Sequence, residues 1–271
     1  MKNLPYLFLL LLFTACEKEE TNGVPAFITI NTITLDETNT TSNITDAWVY
    51  INDQLQGVYE LPAQFPVLNI GTHKLRVKAG IKANGIASSR IPYPFYTSYI
   101  QEEVEFVENE YMILTPLVNY LEGTTFFIED FEGVGLSLEP TNISDTIITQ
   151  ITEGSENYGA GFLTDSLITF EIATNELEDL PQAGAPVYLE LDYKCNTQFL
   201  VGVYINYPQS VVQKDLLWIN PKEDWNKIYV NLTSTISEGI NASSFKVFIG
   251  MRRDFELEKN ELYFDNLKVV Y

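Results

Sequence analysis

Residues 226–232 read NKIYVNL, in which the aliphatic residues Ile228, Val230 and Leu232 alternate with residues that carry a polar group. A period of two is typical of a β-strand that lies half-buried in an antiparallel sheet. Other short runs rich in Val, Ile, Thr, Tyr and Phe recur along the chain, at residues 26–35, 47–52, 73–79, 102–107, 111–117, 187–193, 200–206, 245–251 and 262–270. They are bounded by Gly, Pro, Asn or Asp, and no long helical periodicity appears beyond residue 22. The pattern therefore predicts an all-β protein built of sandwiches or barrels.

The composition excludes several classes of function. Of 271 residues, 45% are hydrophobic and 20% are charged, which is enough apolar material for one or two packed domains. The 16 Lys and Arg face 37 Asp and Glu, a formal net charge of −21, so a basic surface for nucleic acid or anionic lipid is not expected. One His and two Cys leave little material for metal or thiol chemistry, and Cys195, in a strand-like run, is expected to be a buried free thiol.

The first sixteen residues have the plan of a secretion signal. Lys2 gives a positive start, residues 7–13 form an apolar run too short to span a membrane, and Ala15 precedes Cys16. Residues 13–16, FTAC, resemble the bacterial lipobox, although Phe13 stands where Leu is most usual. The resemblance implies a signal peptide over residues 1–15 and a mature chain that begins at an acylated Cys16. The alternative is an ordinary secretory signal with an incidental cysteine.

An acidic tether over residues 16–23 follows the signal. Residues 17–20 read EKEE, and such a cluster directly after a lipidated cysteine resembles the surface-export signal of Bacteroidota lipoproteins. The resemblance implies a protein anchored in outer-membrane lipid through Cys16 and facing the extracellular medium. The alternative is that these charges form only a solvated spacer.

Residues 24–121 form the first predicted domain, because a boundary falls at residues 120–124, YLEGT. Its series of short strands fits an immunoglobulin-like β-sandwich. Residues 47–53, AWVYIND, and 71–77, GTHKLRV, loosely resemble the small sandwich modules of bacterial surface proteins. In those modules an Asn-Asp turn ends one strand and Gly-Thr-His opens a later one. His73, the only imidazole, is therefore expected to be structural.

Residues 80–99 are predicted to form a loop or a sheet edge, since Pro92 and Pro94 remove backbone donors. Four aromatic residues crowd the end of this segment: Tyr93, Phe95, Tyr96 and Tyr99. Aromatic side chains on a semi-rigid loop suit contact with a protein partner, because they offer a large contact area at low entropic cost. The alternative is that they cover the end of the sandwich.

Residues 124–271 form the second predicted domain and carry a more specific pattern. It opens with FIEDFEG at 127–133, contains LWINPKEDWNKI at 217–228 and closes with LYFDNLKV at 262–269. These three segments resemble the jelly-roll carbohydrate-binding modules, most nearly family 11 and the wider galactose-binding-like group. The resemblance implies a galactose-binding-like jelly-roll β-sandwich with Trp225 in its core. A resemblance of this kind indicates fold more firmly than function.

The same resemblance implies a structural calcium ion where the first and last strands lie side by side. Asp130 and Asp265 are then the side-chain ligands, and Glu129 and Glu132 are their neighbours, because calcium prefers carboxylate and carbonyl oxygens. The alternative is that Asp265 caps a turn through backbone hydrogen bonds without an ion.

Modules of this family bind linear β-glucans in a cleft, where sugars stack on tyrosines beside Asp and Arg. On this chain the resemblance points to four glycan-binding residues: Tyr204, Tyr207, Trp218 and Arg252. However, the family's cleft tyrosine in the penultimate strand is replaced here, where residues 248–250 read FIG. Aromatic side chains at alternate strand positions also belong to the core more often than to a binding surface.

The sequence thus predicts a non-catalytic cell-surface lipoprotein, and two roles remain open for it. In the first, it is an accessory or binding subunit of an outer-membrane protein complex, which it contacts through its aromatic loop. In the second, it is a polysaccharide-binding lipoprotein of a glycan-uptake or adhesion system. An enzyme is not expected, because a serine triad would depend on His73 alone and neither a nucleophile elbow nor a glycine-rich phosphate loop occurs.

Overall fold

The computed structural model describes residues 23–36 and 40–271. The predicted signal peptide, Cys16 and most of the acidic tether lie outside the described residues. The described part holds 21 strands and one short helix, so the all-β prediction is confirmed. Among these residues, no helix has the length and apolar character needed to cross a membrane.

The first sandwich contains strands β1 to β10. They are β1 Ala26–Ile30, β2 Thr34–Leu35, β3 Asp46–Ile51, β4 Gln54–Glu60, β5 Ala63–Val67, β6 Gly71–Lys82, β7 Arg90–Pro92, β8 Ser98–Phe106, β9 Tyr111–Leu114 and β10 Leu117–Val118. A three-stranded sheet in the order β5-β1-β9 faces a five-stranded sheet in the order β4-β3-β6-β7, in which β8 also pairs with β6. A two-sheet sandwich is therefore observed, and its immunoglobulin-like character stays a prediction.

Alternation of side chains places the core between these two sheets. In β1, Ala26, Ile28 and Ile30 are buried, whereas the residues between them are partly exposed. They share one hydrophobic core with Val49 of β3 and Val77 of β6 on the opposite sheet. The apolar faces of the strands thus meet in the middle, as a period of two requires.

A tight hairpin joins β3 to β4. Asn52 and Asp53 have φ angles of 50° and 62°, and two successive positive φ angles are the mark of a type I′ turn. Ile51 pairs with Gln54 directly across this turn. The next long strand, β6, begins at Gly71, so the Asn-Asp turn and the Gly-Thr-His strand start are both observed where the sequence predicts them.

The second sandwich contains strands β11 to β21 and helix α1. They are β11 Phe126–Glu129, β12 Leu138–Pro140, β13 Thr149–Glu153, β14 Glu156–Leu163, β15 Thr169–Thr174, β16 Tyr188–Cys195, β17 Phe199–Tyr207, β18 Ser210–Ile219, β19 Lys222–Asn231, α1 Thr233–Glu238, β20 Ser244–Arg252 and β21 Asn260–Val270. Sheet I has the order β13-β14-β21-β16-β19, with β11 beside β21, and sheet II has the order β12-β15-β20-β17-β18. From β14 onward successive strands alternate between the two sheets, except that β17 and β18 both lie in sheet II, and the two sheets form a jelly-roll sandwich, as predicted.

The inner faces of sheets I and II form the larger core of the molecule. Leu189 and Leu191 of β16 point into it from sheet I, and Val201 and Val203 of β17 point into it from sheet II. Because neighbouring residues of a strand point to opposite sides, the residues between them lie on the outer faces. The outer faces therefore carry the side chains that do not contribute to this core.

The two sandwiches meet around Glu190, a residue of β16 with no exposed surface. The hydroxyl of Tyr93 donates a 2.7 Å hydrogen bond to Oε1 of Glu190, and the hydroxyl of Tyr120 lies 2.9 Å from each carboxylate oxygen. On the side of sheet I, Nζ of Lys227 lies 3.4 Å from Oε2. A buried carboxylate is strongly unfavourable without such partners, so these contacts tie the first sandwich to the outer face of sheet I.

Further contacts cross the same junction. The hydroxyl oxygens of Tyr96 and Tyr229 are 3.1 Å apart, and the Tyr93 ring meets the Tyr188 ring edge-on at 5.3 Å between centroids. The backbone N–H of Asn84 donates to the carbonyl oxygen of Tyr229 at 2.7 Å. Burial raises the pKa of Tyr93 and Tyr96 well above the ordinary value for tyrosine, so both phenols stay protonated and Tyr93 remains a donor to Glu190.

The aromatic loop is therefore not a free docking surface. Tyr93, Phe95 and Tyr96 are buried, and Tyr99 is partly buried in β8 against the core of the first sandwich. This corrects the prediction that these four residues contact a separate protein. The chain's own second sandwich covers the three buried rings, so they have no surface left for a partner. The alternative prediction, that the rings close the end of the first sandwich, describes what is observed.

Replacement of Glu190 tests the junction. Glu190→Ala is expected to lower the free energy of unfolding by about 3–5 kcal/mol, because it leaves two tyrosine hydroxyls buried without their acceptor and Lys227 with only the more distant Asp192, at 3.7 Å. Urea denaturation followed by tryptophan fluorescence measures the loss. The matched control is Glu60→Ala, which removes a largely exposed carboxylate from its ion pairs with Lys82 and Arg90 and is expected to change stability little. Equal effects of the two substitutions would contradict the assigned role of Glu190.

Candidate functional site

The outer face of sheet II carries three of the four predicted glycan-binding residues. Tyr204 packs in a small cluster on this face, outside the main core. Trp218 lies on it as well, because it pairs with Leu200, a member of the same cluster. Arg252 shares the face with Phe248 through the alternation of β20, whose residues between them point into the main core.

Tyr207 does not belong to this face. Its ring packs against the main core between the two sheets, three residues along β17 from Tyr204. An odd spacing in a strand places two side chains on opposite faces, so Tyr204 and Tyr207 cannot line one surface. The prediction that Tyr207 binds glycan together with Tyr204 is corrected accordingly.

A buried carboxylate lies in the middle of the outer face of sheet II. Glu171 of β15 is only 4% exposed. Its Oε1 accepts a 2.5 Å hydrogen bond from the hydroxyl of Tyr204 and a 2.8 Å hydrogen bond from Oγ1 of Thr141. Burial and the adjacent Glu171 raise the pKa of Tyr204, which keeps its hydroxyl a donor. No donor among the described residues reaches Oε2 of Glu171, so this oxygen retains its capacity to accept a hydrogen bond.

Phe248 occupies the position where the sequence pattern lacks a tyrosine. Its ring is fully buried and lies across β17, where a side chain at Gly202 would place Cβ only 2.3 Å from the ring. The Tyr204 ring leans on it at 4.9 Å between centroids. Phe248 therefore supports Tyr204 from below and offers no ring face of its own.

Trp218 and Arg252 mark the exposed parts of this face. Trp218 is 48% exposed and is the most accessible ring of the sheet. Arg252 is exposed, and its Nη1 lies 3.4 Å from Oγ1 of Thr169 on the neighbouring strand. The face thus combines an exposed indole, a buried acceptor and a guanidinium donor.

The four predicted calcium ligands are mostly committed to other partners. Glu129 is buried and accepts hydrogen bonds from the backbone N–H groups of Phe131 and Ser137. Oδ1 of Asp130 accepts from the backbone N–H of Glu132, whose own carboxylate accepts from Asn157. Within residues 23–36 and 40–271, no group of three or more His, Cys, Asp or Glu is arranged to hold a metal ion. The residues in these positions do not form a complete calcium site, and calcium binding stays a prediction.

Asp265 is the remaining predicted ligand, and its surroundings are unfavourable for a charge. It pairs with Asp192 directly across the ladder of β16 and β21. Burial, followed by repulsion from Asp192, Asp130 and Glu132, raises its pKa to about 7, although a hydrogen bond from the backbone N–H of Asn266 opposes the shift. The turn-capping alternative is consistent with that last hydrogen bond, at 2.7 Å.

The outer face of sheet I holds an aromatic surface that sequence reasoning missed. The first sandwich covers one part of this face, around Tyr188 and Tyr229, and leaves another part open. The open part carries Tyr158, Phe162, Trp225 and Tyr263, which we call the sheet I aromatic surface. Trp225 is 42% exposed, so the prediction that it belongs to the core is wrong. The alternation of β19 signals this position, since Trp225, Lys227 and Tyr229 lie on the side opposite the core residue Ile228.

Comparisons with known proteins show similarity of fold only. No protein-family model and no curated protein matches the chain. Among solved structures, the chain is similar to the family 30 carbohydrate-binding module of a Clostridium thermocellum cellulosomal cellulase. The similarity covers 53% of this chain and 90% of that module, at 16% sequence identity and a TM-score of 0.37. A family 11 module of the same organism, in complex with a β-1,3-1,4-mixed-linked tetrasaccharide, is similar over 54% of this chain and 94% of its own length, at 13% identity and a TM-score of 0.38. A mutant family 29 module is similar over 54% and 85% of the two chains, at 10% identity and a TM-score of 0.35.

Replacement of Asp265 tests the electrostatics of this edge. A carboxyl whose pKa is raised to about 7 in the folded state from 3.8 binds its proton more tightly there than in the unfolded chain, so stability falls as the pH rises through that interval. Asp265→Asn is therefore expected to raise the Tm at pH 8, and the gain should shrink as the pH falls towards 4. Thermal melts at a series of pH values measure it, with the exposed Asp224→Asn as control.

The same melts repeated with EDTA examine the calcium prediction. If calcium binds as predicted, the wild-type Tm at pH 8 falls in EDTA and Asp265→Asn removes that sensitivity, since a ligand bound only by the native state stabilises it by mass action. In that case the variant is also less stable than the wild type in calcium, because the rise in Tm expected above applies to the ion-free carboxylate. A wild-type Tm that the chelator leaves unchanged would contradict the calcium prediction.

Proposed function

We propose that this protein is a non-catalytic, lipid-anchored glycan-binding protein of the outer membrane, and that neutral polysaccharide binds on the outer face of sheet II. The observation that carries the proposal is the combination of an exposed Trp218 with the free Oε2 of Glu171 on one face of a rigid sheet. The indole provides an apolar surface for a sugar ring, and the free oxygen provides an acceptor for a sugar hydroxyl.

A sugar ring has an apolar face of C–H groups and a rim of hydroxyls. The indole of Trp218 offers a broad apolar surface against which such a ring face can pack. Oε2 of Glu171 accepts a hydrogen bond from a hydroxyl, and the guanidinium of Arg252 donates to a hydroxyl or ring oxygen. A few fixed polar groups beside an aromatic surface are the usual composition of a small-molecule site.

Contacts within the protein hold the side chains of Glu171 and Tyr204 in position before any ligand binds. The Tyr204 hydroxyl and Thr141 hold Oε1, and the buried Phe248 holds the Tyr204 ring. The carboxylate therefore needs no rearrangement to accept a hydrogen bond, and preorganisation of this kind lowers the entropic cost of binding. Glu171 as acceptor, Arg252 as donor and Trp218 as stacking ring are together sufficient to bind a sugar, and binding of this kind requires no catalytic group.

Of the two roles predicted from sequence, the glycan-binding role is preferred on structural grounds. The accessory-subunit role required the aromatic loop to be accessible, and Tyr93, Phe95 and Tyr96 are buried within the chain. The outer face of sheet II, in contrast, exposes Trp218 to solvent. The lipid anchor at Cys16 and the outward-facing location are retained in the proposal, on the strength of the signal sequence.

Replacement of Trp218 tests the glycan site. Trp218→Ala is expected to weaken binding of mixed-linkage β-glucan by about tenfold or more, because truncation of an aromatic anchor removes much of the binding energy. The Tm should change by no more than about 2 °C, since the ring is half-exposed and not part of the core. Affinity electrophoresis gives the binding constant, and a thermal melt gives the stability.

Two further variants make this test specific. Trp225→Ala removes a similarly exposed indole from the other sheet and should leave β-glucan binding unchanged. Glu171→Gln keeps an acceptor for Tyr204 and Thr141 but replaces the free oxygen by an amide donor, so it should weaken binding while the fold persists. Equal losses for Trp218→Ala and Trp225→Ala, or a large fall in Tm for Trp218→Ala, would contradict the proposal.

Replacement of Cys16 tests the anchor. Cys16→Ser is expected to abolish labelling by radioactive palmitate and to move the protein from the membrane fraction to the soluble fraction, because acyl chains supply the membrane affinity. Cys195→Ser is the matched control, since that thiol is buried in β16 and should not affect labelling. Membrane retention of unlabelled Cys16→Ser protein would show that another feature holds it there.

A further inference from the structure

The sheet I aromatic surface is a connected set of rings on the open part of the outer face of sheet I. The Tyr158 ring centroid lies 5.4 Å from that of Trp225 and 6.1 Å from that of Tyr263. Phe162 extends the set, at 5.7 Å from Tyr263. All these contacts are edge-to-face, so the rings stand at angles to one another and form a shallow, uneven surface.

Lys194 lies at the centre of these rings. Its Nζ is 4.8 Å from the Tyr263 centroid, 5.1 Å from that of Trp225 and 5.7 Å from that of Tyr158. In the described part of the chain no carboxylate lies within ion-pair distance of this ammonium. Rings attract a cation through their quadrupoles but supply no counter-charge, so the ammonium of Lys194 lies among aromatic rings without a carboxylate partner from the described residues.

A cavity of about 300 Å³ adjoins the rings, a volume at the lower end for small-molecule sites. Its charged lining residues are Lys194, Lys222, Glu223 and Glu261. Glu261 is already paired with Lys259 at 2.6 Å, and Lys222 has no ion pair with any described residue. The four lining charges sum to zero, but Lys259 from outside the lining neutralises Glu261, which leaves Lys194 and Lys222 opposed by Glu223 alone, although the chain as a whole carries a formal net charge of −21.

We propose that this cavity and the sheet I aromatic surface form a second glycan-binding site, selective for sugars that bear a carboxylate, such as the uronic acids of acidic polysaccharides. The carboxylate of the sugar pairs with Lys194 and Lys222, and its ring packs against Trp225 and Tyr263. This site lies on a different sheet from the site proposed above and has the opposite charge preference, so it does not depend on that proposal.

Charge complementarity at short range carries this assignment. At physiological ionic strength the acidic remainder of the surface is screened beyond about 8 Å, so the field inside the cavity comes from its own lining, where Glu261 is paired with Lys259 and Glu223 faces two lysines. Hydrogen bonds between an ammonium and a carboxylate are stronger than those between neutral groups. Neutral sugars leave both lysines without a counter-charge and gain only the contact with the rings.

The test uses one polymer with and without its charge. Binding of polygalacturonate to the full-length protein is compared with binding of fully methyl-esterified polygalacturonate, which has the same backbone and no carboxylates. Isothermal titration calorimetry should show binding of the acid form that weakens as NaCl is raised from about 50 to 500 mM, and at least about tenfold weaker binding of the ester.

Variants assign the binding to this site. Lys194→Gln and Trp225→Ala should each weaken polygalacturonate binding about tenfold or more, while both leave β-glucan binding unchanged. Lys214→Gln is the matched control, because it removes a lysine from the sheet II side, where Lys214 pairs with Glu238. This variant and Trp218→Ala should bind polygalacturonate normally.

Four results would overturn the inference. They are equal affinity for the acid and ester forms, a loss of polygalacturonate binding in Trp218→Ala but not in Lys194→Gln, an equal loss in Lys214→Gln, and no binding of polygalacturonate at all. A failure of β-glucan binding leaves the inference intact, because that result concerns sheet II alone.

Discussion

Glu190 is a carboxylate with no exposed surface, and the arrangement of the whole chain follows from the need to satisfy it. Its hydrogen-bond donors come from the first sandwich, at Tyr93 and Tyr120, whereas its ammonium partner Lys227 comes from the second. Neither sandwich alone supplies the full set. Since a buried charge is tolerated only when it is paired and hydrogen-bonded, the two sandwiches are stable in this arrangement as one unit.

This junction also decides which surfaces remain free. The first sandwich covers the part of sheet I around Tyr188 and Tyr229 and removes it from solvent. The part of sheet I with Trp225 and Lys194 stays open, and so does the outer face of sheet II, with Trp218. The protein thus presents two separate faces on one rigid jelly roll.

The two faces differ in the charge that they can accept. Sheet II buries a carboxylate, Glu171, with one oxygen free to accept a hydrogen bond, which favours hydroxyl groups and disfavours anions. Sheet I places an ammonium, that of Lys194, among aromatic rings, which favours anions. A polysaccharide with both neutral and acidic segments would be able to engage both faces, and two linked contacts bind more tightly than either alone.

The sequence by itself determined the strand content and single features such as the Asn52-Asp53 turn, because alternation and turn chemistry act within a few residues. The jelly roll of the second half was implied only by the resemblance of three segments to carbohydrate-binding modules, and the strand order follows from the tertiary structure. The sequence also predicts that Tyr204 and Tyr207 point to opposite faces of a strand, because an odd number of positions separates them. Strand β14 escaped prediction, because its Gly159 and Gly161 weaken the strand pattern. Both make room for phenylalanine rings from elsewhere in the fold, which lie 2.4 Å from a Cβ built at either position.

Only the tertiary structure decided what covers each aromatic side chain. Prolines flank Tyr93 and polar residues flank Trp225, and neither setting tells which ring is covered: Tyr93 is buried against Glu190, whereas Trp225 is exposed beside Lys194. The difference arises from contacts between residues about a hundred positions apart, such as the 97 that separate Tyr93 from Glu190. Local pattern carries no information about such contacts, because burial is a property of the packed surfaces and not of the strand that bears the residue.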